Sequence, residues 1–206
     1  MKSSRVRLGD LSVGFTQPLA AALRAKGHDP QPLLQQFGLD TARLSEPRAR
    51  LSIPRFMRLG HSAIALCGDP ALGLDMGRHS HPSQVGLAGI CAAQAPNLRE
   101  AARTLTRFEP LYAANYRGRS SFDEDPRGAW LQFYSISPYN AYNRFVVDSV
   151  LAGWQANLAQ VVGHDISPER VEIEFPEPEY AERYAALFGC PLEFSASANR
   201  LRLSND

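Results

Sequence analysis

The chain has 206 residues, of which 44% are hydrophobic and 21% are charged, and its formal net charge is +1. These values are ordinary for a soluble globular domain and exclude an overall electrostatic attraction to nucleic acid or membranes. The charge is uneven, because residues 1–110 carry 14 basic against 8 acidic residues and the remainder carries 8 against 13. A basic first half is compatible with an acidic partner and equally with a solvated surface.

Glycine, proline and capping residues divide the first half of the chain into helices. We predict helices over 17–26, 29–38, 52–68 and 69–77, with a short turn at Asp40. In the third of these helices the apolar face includes Leu66. A loop over 78–84 precedes the small-residue segment 85–91, which is predicted to be a short buried helix. Asn97 begins a further helix that directs Ala101, Leu105 and Phe108 inward.

From residue 111 the apolar pattern alternates, which predicts strands. Segments 112–119 and 129–137 are predicted to pair as a hairpin across 120–128. The longest helix, 139–162, carries only Asp148 as a charge beyond Arg144, so we expect it to be mostly buried. A strand over 170–175 is predicted to direct Glu172 and Glu174 to solvent. A helix up to Phe188 and two strands, 192–195 and 199–203, complete the chain.

The fold class predicted from these elements is α+β, in one domain over residues 1–206. Its helical part covers about 10–110, and its mixed α/β part covers about 111–206. In the second part, the hairpin, the long buried helix and the further short strands are expected to form a small, mainly antiparallel sheet.

The chemistry of the chain argues against a catalytic or metal site. It has no P-loop, GxGxxG, GxSxG or HExxH motif, so we predict no enzymatic activity and no cofactor. Three widely spaced cysteines, Cys67, Cys91 and Cys190, are expected to be reduced and buried. The N-terminus leads into no apolar segment of signal or membrane-spanning length, which predicts a cytoplasmic protein.

The segment 108–145 is the best candidate for a ligand site, because it holds five of the seven tyrosines together with Arg144. Apolar walls with a few polar groups are typical of small-molecule pockets, and Arg144 suits a carboxylate or phosphate. His79 and His81 lack a third metal ligand at a familiar spacing, so their loop is interpreted as ligand-facing or solvated. An ordinary aromatic core is the alternative. The candidate ligand-binding residues are Tyr112, Tyr116, Phe133, Tyr134, Tyr139, Tyr142, Arg144, His79 and His81.

An ordered series of short motifs carries a family resemblance over about residues 10–203. The motifs are Gly27-His28-Asp29-Pro30, Phe37-Gly38-Leu39-Asp40, Arg50-Leu51-Ser52-Ile53-Pro54, Gly68-Asp69-Pro70-Ala71-Leu72-Gly73-Leu74, Gly86-Leu87-Ala88-Gly89, Asn97-Leu98-Arg99-Glu100-Ala101, the segment 171–178 and the junction 188–194. The chain resembles the N-terminal effector-binding domain of AraC/XylS-type bacterial transcription regulators, in the subgroup labelled arabinose-binding.

The resemblance implies a cytoplasmic sensor of a small-molecule effector and allows a homodimer. From the aromatic segment and Arg144 we expect that effector to be acidic or amphipathic. The resemblance also implies that DNA is contacted only through a C-terminal domain with two helix-turn-helix motifs, which is absent from this sequence. The resemblance assigns no ligand-contacting residue to a position in this chain. The alternative is a protein-interaction or dimerisation module with no small ligand, recognisable by an exposed apolar patch and self-association.

Overall fold

The computed structural model describes residues 8–204, and over these residues the chain is an α+β fold with two sheets. The helices are α1 Thr16–Ala25, α2 Gln31–Gln36, α3 Thr41–Leu44, α4 Ile53–Cys67, α5 Leu72–Arg78, α6 Leu87–Ala93, α7 Leu98–Arg107, α8 Glu109–Tyr112, α9 Arg144–Val162 and α10 Ala181–Phe188. The strands are β1 Gly9–Ser12, β2 Arg50–Ser52, β3 Ala113–Asn115, β4 Ser121–Asp125, β5 Gly128–Phe133, β6 Arg170–Ile173, β7 Leu192–Phe194 and β8 Asn199–Ser204. The predicted fold class is confirmed.

Capping residues, proline and glycine set the helix ends, as the sequence indicates. Helix α4 follows Ser52, has proline in its first turn and ends at Gly68, whose φ of 67° places it in the left-handed region that favours glycine. At the start of α7 the Asn97 side chain accepts a hydrogen bond from the Glu100 amide at 2.9 Å. These contacts satisfy backbone groups that a helix leaves free at its ends.

A three-stranded sheet, ordered β2-β1-β3 and antiparallel throughout, joins the first half of the chain to residue 115. The predicted helical part over 10–110 therefore also contains two strands. Both are only three or four residues long, too short for an alternating pattern, and they pair with segments far away in sequence. An ion pair between Asp10 and Arg50, 2.6 Å apart, joins β1 to β2.

The second sheet has five strands in the order β4-β5-β8-β6-β7, antiparallel except for the parallel pair β6–β7. The predicted hairpin of 112–119 with 129–137 is wrong, because β4 pairs with β5 across a two-residue turn and β3 joins the other sheet. Asp125 closes that turn by accepting a hydrogen bond from the Arg127 amide at 2.8 Å. The predicted turn over 120–128 is centred on residue 124, whereas this Asx turn reverses the chain at 126–127, between β4 and β5.

Helix α9 lies between two apolar cores and contributes to both. Phe145 packs with the N-terminal helices, whereas Leu151 and Leu158 pack with the five-stranded sheet and α10. The helix begins at Arg144 rather than at residue 139, because the Asn143 amide group donates to the carbonyls of Ile136 and Pro138 and holds the preceding loop. Most of α9 is buried, as predicted.

Close contact between α5 and α9 depends on a small residue. A β-carbon added to Gly77 would lie 2.2 Å from the Ala152 Cβ, so a larger residue cannot occupy this crossing without moving α9. Among residues 8–204, no helix combines the length and apolar character needed to span a membrane.

Several side chains expected to be buried are exposed. Leu87 and Ile90 of α6 are 76% and 53% exposed, and Leu66, Phe108 and Cys91 also lie at the surface. The sequence shows which face of a helix is apolar, but only the tertiary structure shows whether another element covers that face. Glu172 shows the opposite discrepancy. It was expected to face solvent, but it is 6% exposed and Arg200 lies directly opposite it on β8.

Candidate functional site

Two cavities that share part of their lining lie between the three-stranded sheet, the strand β5 and helix α9, and we describe them as two lobes of one site. Six residues line both lobes and so form the junction between them, namely Phe15, Glu109, Ala113, Phe133, Ser149 and Val150. The walls come from elements distant in sequence, and α9 supplies one side of both lobes. The cavity therefore exists only when the two cores are assembled against α9.

The Tyr134 lobe, as we name the larger part, has a volume of about 650 Å³ including the space at its mouth. Its own lining is mainly apolar and consists of Leu11, Ile53, Phe56, Met57, Asn115, Tyr134, Ser135, Ile136, Asn143 and Val146. Such a lining suits the hydrocarbon part of a ligand, because burying apolar surface there removes it from water.

The Asn157 lobe has a volume of about 500 Å³ including the space at its mouth, and a larger share of its surface is polar. Its own lining consists of Ser80, Gln84, Val85, Leu105, Tyr112, Gly153, Trp154 and Asn157. Both polar atoms of the Gln84 side chain have partners within the protein. Its nitrogen donates to the Ser80 hydroxyl at 3.4 Å, and its oxygen accepts from the His81 amide. Asn157 is different, because its buried Oδ1 has no hydrogen-bond partner within residues 8–204.

Glu109 lies where the lobes meet and contributes the carboxylate of the cavity. Both of its oxygens accept hydrogen bonds from Ser120, at 2.6 Å from the hydroxyl and 2.9 Å from the amide. Burial raises the pKa of the Glu109 carboxyl, and the Ser120 hydrogen bonds only partly oppose this effect. The charge of Arg119 also opposes the rise, but the hydrogen bonds to the carboxylate come from the neutral groups of Ser120.

Three of the residues proposed from the sequence line this cavity. Phe133 borders both lobes, Tyr134 borders the larger lobe and Tyr112 borders the Asn157 lobe. The Tyr112 hydroxyl donates to the Leu105 carbonyl at 2.9 Å, and burial raises the pKa of this phenol. Tyr112 therefore presents its ring rather than a free hydroxyl to the cavity.

The other aromatic candidates lie outside the cavity. Tyr116 is exposed, and Tyr142 stacks on His61 with ring centroids 4.2 Å apart. The Tyr139 hydroxyl donates to Glu174 and accepts from the Asn199 amide group at 2.7 Å. Burial and the neighbouring Glu174 raise the pKa of Tyr139 to about 12. These contacts give Tyr139 a structural role beside β6 and β8.

The basic candidates are also outside the cavity lining. The Arg144 guanidinium lies over the Phe175 ring, 5.6 Å from its centroid, and its buried Nε has no hydrogen-bond partner among the described residues. His79 is exposed. His81 caps the short 3₁₀ helix Pro82–Val85, where its Nδ1 accepts from the Ser83 amide at 3.2 Å. Across residues 8–204, no group of three or more His, Cys, Asp or Glu side chains is placed to hold a metal ion.

On the face of α9 away from the cavity, Asp148 is completely buried. Its carboxyl accepts hydrogen bonds from the hydroxyls of Tyr180, at 2.9 Å, and Tyr184, which bracket the start of α10. Burial raises the pKa of Asp148 to about 7, although both tyrosines and the nearby Arg144 act in the opposite direction. This cluster connects α9 to α10 directly behind the cavity wall.

Sequence reasoning missed Glu109, Asn157, Ser149 and Phe15. Glu109 follows a helix and precedes a proline, which is an ordinary position for a solvated acid. Asn157 sits on the long apolar helix, and a polar residue within an apolar stripe is the one signal that marks it. Their proximity to one another depends on how α8 is placed against α9.

Comparisons with known proteins agree with this architecture. The family described as the arabinose-binding domain of AraC transcription regulators, N-terminal, matches residues 27–206. The Ornithine utilization regulator of Pseudomonas aeruginosa strain PAO1 is 29% identical over 182 residues, which cover 88% of this chain and 53% of the relative. The crystal structure of the transcriptional regulator CdpR from Pseudomonas aeruginosa superposes with a TM-score of 0.62 at 16% identity, covering 93% of this chain and 55% of that one.

The chain spans about half the length of both of these proteins. At 16% identity the likeness to CdpR shows a shared fold, whereas the family match extends over most of the sequence. The chain belongs to the family of N-terminal arabinose-binding domains of AraC transcription regulators.

Proposed function

We propose that this domain senses a small amphipathic effector, which binds in the two-lobed cavity and controls a DNA-binding domain of the same regulator. The observation that carries the proposal is the cavity itself, with a mainly apolar lining and a small number of polar side chains, among them Glu109 at the junction and Asn157 in the smaller lobe. Apolar walls with few, well-placed polar groups are the usual form of a small-molecule site.

The lining also bears on the chemistry of the effector. The sequence led us to expect an acidic or an amphipathic ligand, with Arg144 as the group that binds an acid. Arg144 lies over Phe175 instead of in the cavity lining, and the carboxylate of Glu109 is in that lining. This arrangement favours the amphipathic class, with the hydrocarbon part in the Tyr134 lobe.

Helix α9 offers a route from the cavity to the rest of the domain. Val146, Ser149 and Val150 line the cavity, while Asp148 on the same helix binds the two tyrosines at the start of α10. An effector that shifts α9 would therefore also shift α10. Such a switch requires the effector to bind one arrangement more tightly, and a coupling of roughly 1–3 kcal/mol is typical.

Calorimetric titration of the domain with 1-octanol tests the binding site. We expect saturable binding to the wild type and none to Val150→Phe, whose ring would fill the junction of the lobes. Val162→Phe is the matched control, since it makes the same change on the same helix outside the cavity lining. Equal binding to both variants would overturn the proposal, as would a wild type that binds neither octanol nor charged analogues with the same hydrocarbon chain.

Exposed apolar side chains support a second candidate function, a protein-interaction or dimerisation module. Leu87 and Ile90 on α6 and Leu111 on the neighbouring α8 are all more than half exposed. Apolar side chains grouped on adjacent helices often mark an interface. Sedimentation of the wild type and of Ile90→Glu distinguishes the candidates. Concentration-dependent self-association that the substitution abolishes would support the interface, and a monomeric wild type would oppose it.

A further inference from the structure

We propose that the effector carries a protonated amine, which binds between the Glu109 carboxylate and the Asn157 Oδ1. This inference rests on the proposed function, because it assigns the polar end of a ligand whose hydrocarbon part occupies the same cavity. It predicts the chemical class of the effector, an amine attached to an apolar body. It also divides the recognition between two residues on α8 and α9.

The first argument is the sign of the charge in the cavity. Glu109 is the charged side chain in the described lining of both lobes, and it borders each of them. Its present hydrogen-bond donors, the hydroxyl and amide of Ser120, are neutral. A carboxylate removed from water is stabilised by an adjacent cation, and each of its oxygens can accept more than one hydrogen bond.

The second argument is the unused acceptor on α9. Asn157 is only 5% exposed, and it lines the same lobe as Glu109. Its Oδ1 has no partner among the residues that the structure describes. Leaving a buried acceptor unpaired is unfavourable, so such groups commonly serve a bound ligand or water.

An ammonium group satisfies both acceptors together. It carries a positive charge for Glu109 and three hydrogen-bond donors, which is enough for the acceptors of both residues that line this lobe. A neutral hydroxyl has a single donor and no charge, so it can satisfy only one of the two acceptors. A carboxylate ligand would meet the like charge of Glu109, which disfavours it.

The experiment compares three probes with the same eight-carbon chain, so that the hydrocarbon contribution cancels. These are n-octylamine, 1-octanol and octanoate, titrated calorimetrically into the domain at neutral pH. We expect octylamine to bind at least about tenfold more tightly than octanol, because a charge-assisted hydrogen bond replaces a neutral one. Octanoate is expected to bind most weakly.

Two variants assign the preference to the two residues. Glu109→Gln should reduce the ratio of octylamine to octanol affinity to about one, because it removes the charge and keeps the shape. Asn157→Leu should lower the same ratio several-fold and provides a second test if Glu109→Gln does not fold. Glu100→Gln on α7, outside the described cavity lining, is the matched control and should keep the wild-type ratio.

The outcomes separate this inference from the proposed function. Saturable binding of octanol without a preference for octylamine would overturn the amine assignment and leave the cavity as the effector site. A preference that survives both Glu109→Gln and Asn157→Leu would likewise overturn it. If the wild type bound none of the three probes, the proposed function would fail and the amine assignment with it.

Discussion

Carboxylates on the five-stranded sheet and carboxylates around α9 are stabilised in different ways. On the sheet, Glu172 is 2.7 Å from Arg200 and 3.1 Å from Arg170, so basic side chains neutralise its buried charge. Around α9, Glu109 and Asp148 accept hydrogen bonds from serine and tyrosine, and burial raises the pKa of both. The contrast indicates that Glu172 is a structural element of the sheet, whereas Glu109 in the cavity accepts hydrogen bonds from neutral donors alone, which is the basis of the proposed amine site.

The difference follows from where each acid lies. β6 and β8 pair antiparallel and place Glu172 opposite Arg200, whose guanidinium also lies 4.1 Å from the centre of the Trp130 ring. Helix α9, by contrast, has apolar neighbours on both sides, and Asp148 is surrounded by the rings of α10 and the backbone of α5. Neutralising partners are therefore available at the sheet surface and scarce around the long helix.

The largest predicted effect concerns Asp148 and pH. Its folded pKa of about 7 lies above the ordinary carboxyl value, so its contribution to stability is full below about pH 4 and is lost as pH rises through about 7. The Asp148→Asn variant has no carboxyl group at this position, so its stability does not show this loss with rising pH. Between pH 4 and pH 8 we expect the free energy of unfolding to shift in favour of the variant, by at most about 4 kcal/mol, at 1.4 kcal/mol per pKa unit.

Urea denaturation of both proteins across that pH range measures the effect. Asp165→Asn, at an exposed loop position, is the control and should follow the wild-type profile. The groups that face Asp148 are the more distant Arg144 and the hydroxyls of Tyr180 and Tyr184, whose pKa values burial raises further above this range. A difference between variant and wild type that is constant with pH would show that Asp148 is ionised in the folded protein throughout.

The next prediction concerns the ion pair between Glu172 and Arg200 on the sheet. Arg200→Met leaves the buried Glu172 with Arg170 as its remaining cation and should lower the free energy of unfolding by about 3 kcal/mol. The double variant Arg200→Met, Glu172→Leu should recover most of the loss, because no unpaired charge remains. Arg170→Met, at a more exposed cation, is the control and should lose less than about 1 kcal/mol. Equal losses for the two single variants would contradict the buried role of Arg200.

The smallest effect concerns the hydrogen bonds of Glu109. Ser120→Ala removes the 2.6 Å bond from the hydroxyl but keeps the bond from the backbone amide. We expect a loss of about 1 kcal/mol in the free energy of unfolding and a further rise in the pKa of Glu109. Denaturation together with NMR titration of the Glu109 carboxyl checks both. The adjacent Ser121→Ala is the control, and an unchanged Glu109 pKa in Ser120→Ala would show that the hydroxyl bond is unimportant.

Local signals in the chain were sufficient for most helix boundaries. Proline in the first turn of α4, Gly68 at its end and Asn97 before α7 act through the residues beside them, so their effect does not depend on the rest of the fold. The apolar stripe of α9 is long enough to identify a buried helix. The same reasoning failed for the hairpin, because the Asx turn at Asp125 and the separate pairing of β3 are not visible in an alternating pattern.

The candidate site was less accessible to sequence reasoning. Aromatic density between 108 and 145 identified Phe133, Tyr134 and Tyr112 as residues that border the cavity. Arg144, the residue of that segment proposed to bind an acidic ligand, lies over the Phe175 ring instead. Glu109 and Asn157 are separated by 48 positions (157 − 109) and carry no motif, so nothing local relates them to each other.

The sequence by itself determined the α+β class, the long buried helix and the family, because periodicity, capping residues and ordered motifs are properties of neighbouring residues. The tertiary structure decided which carboxylates gain a cation, which apolar faces stay exposed and which side chains share a cavity. Those properties depend on pairings between distant segments, such as β3 with β1 and Arg200 with Glu172, which no local pattern encodes.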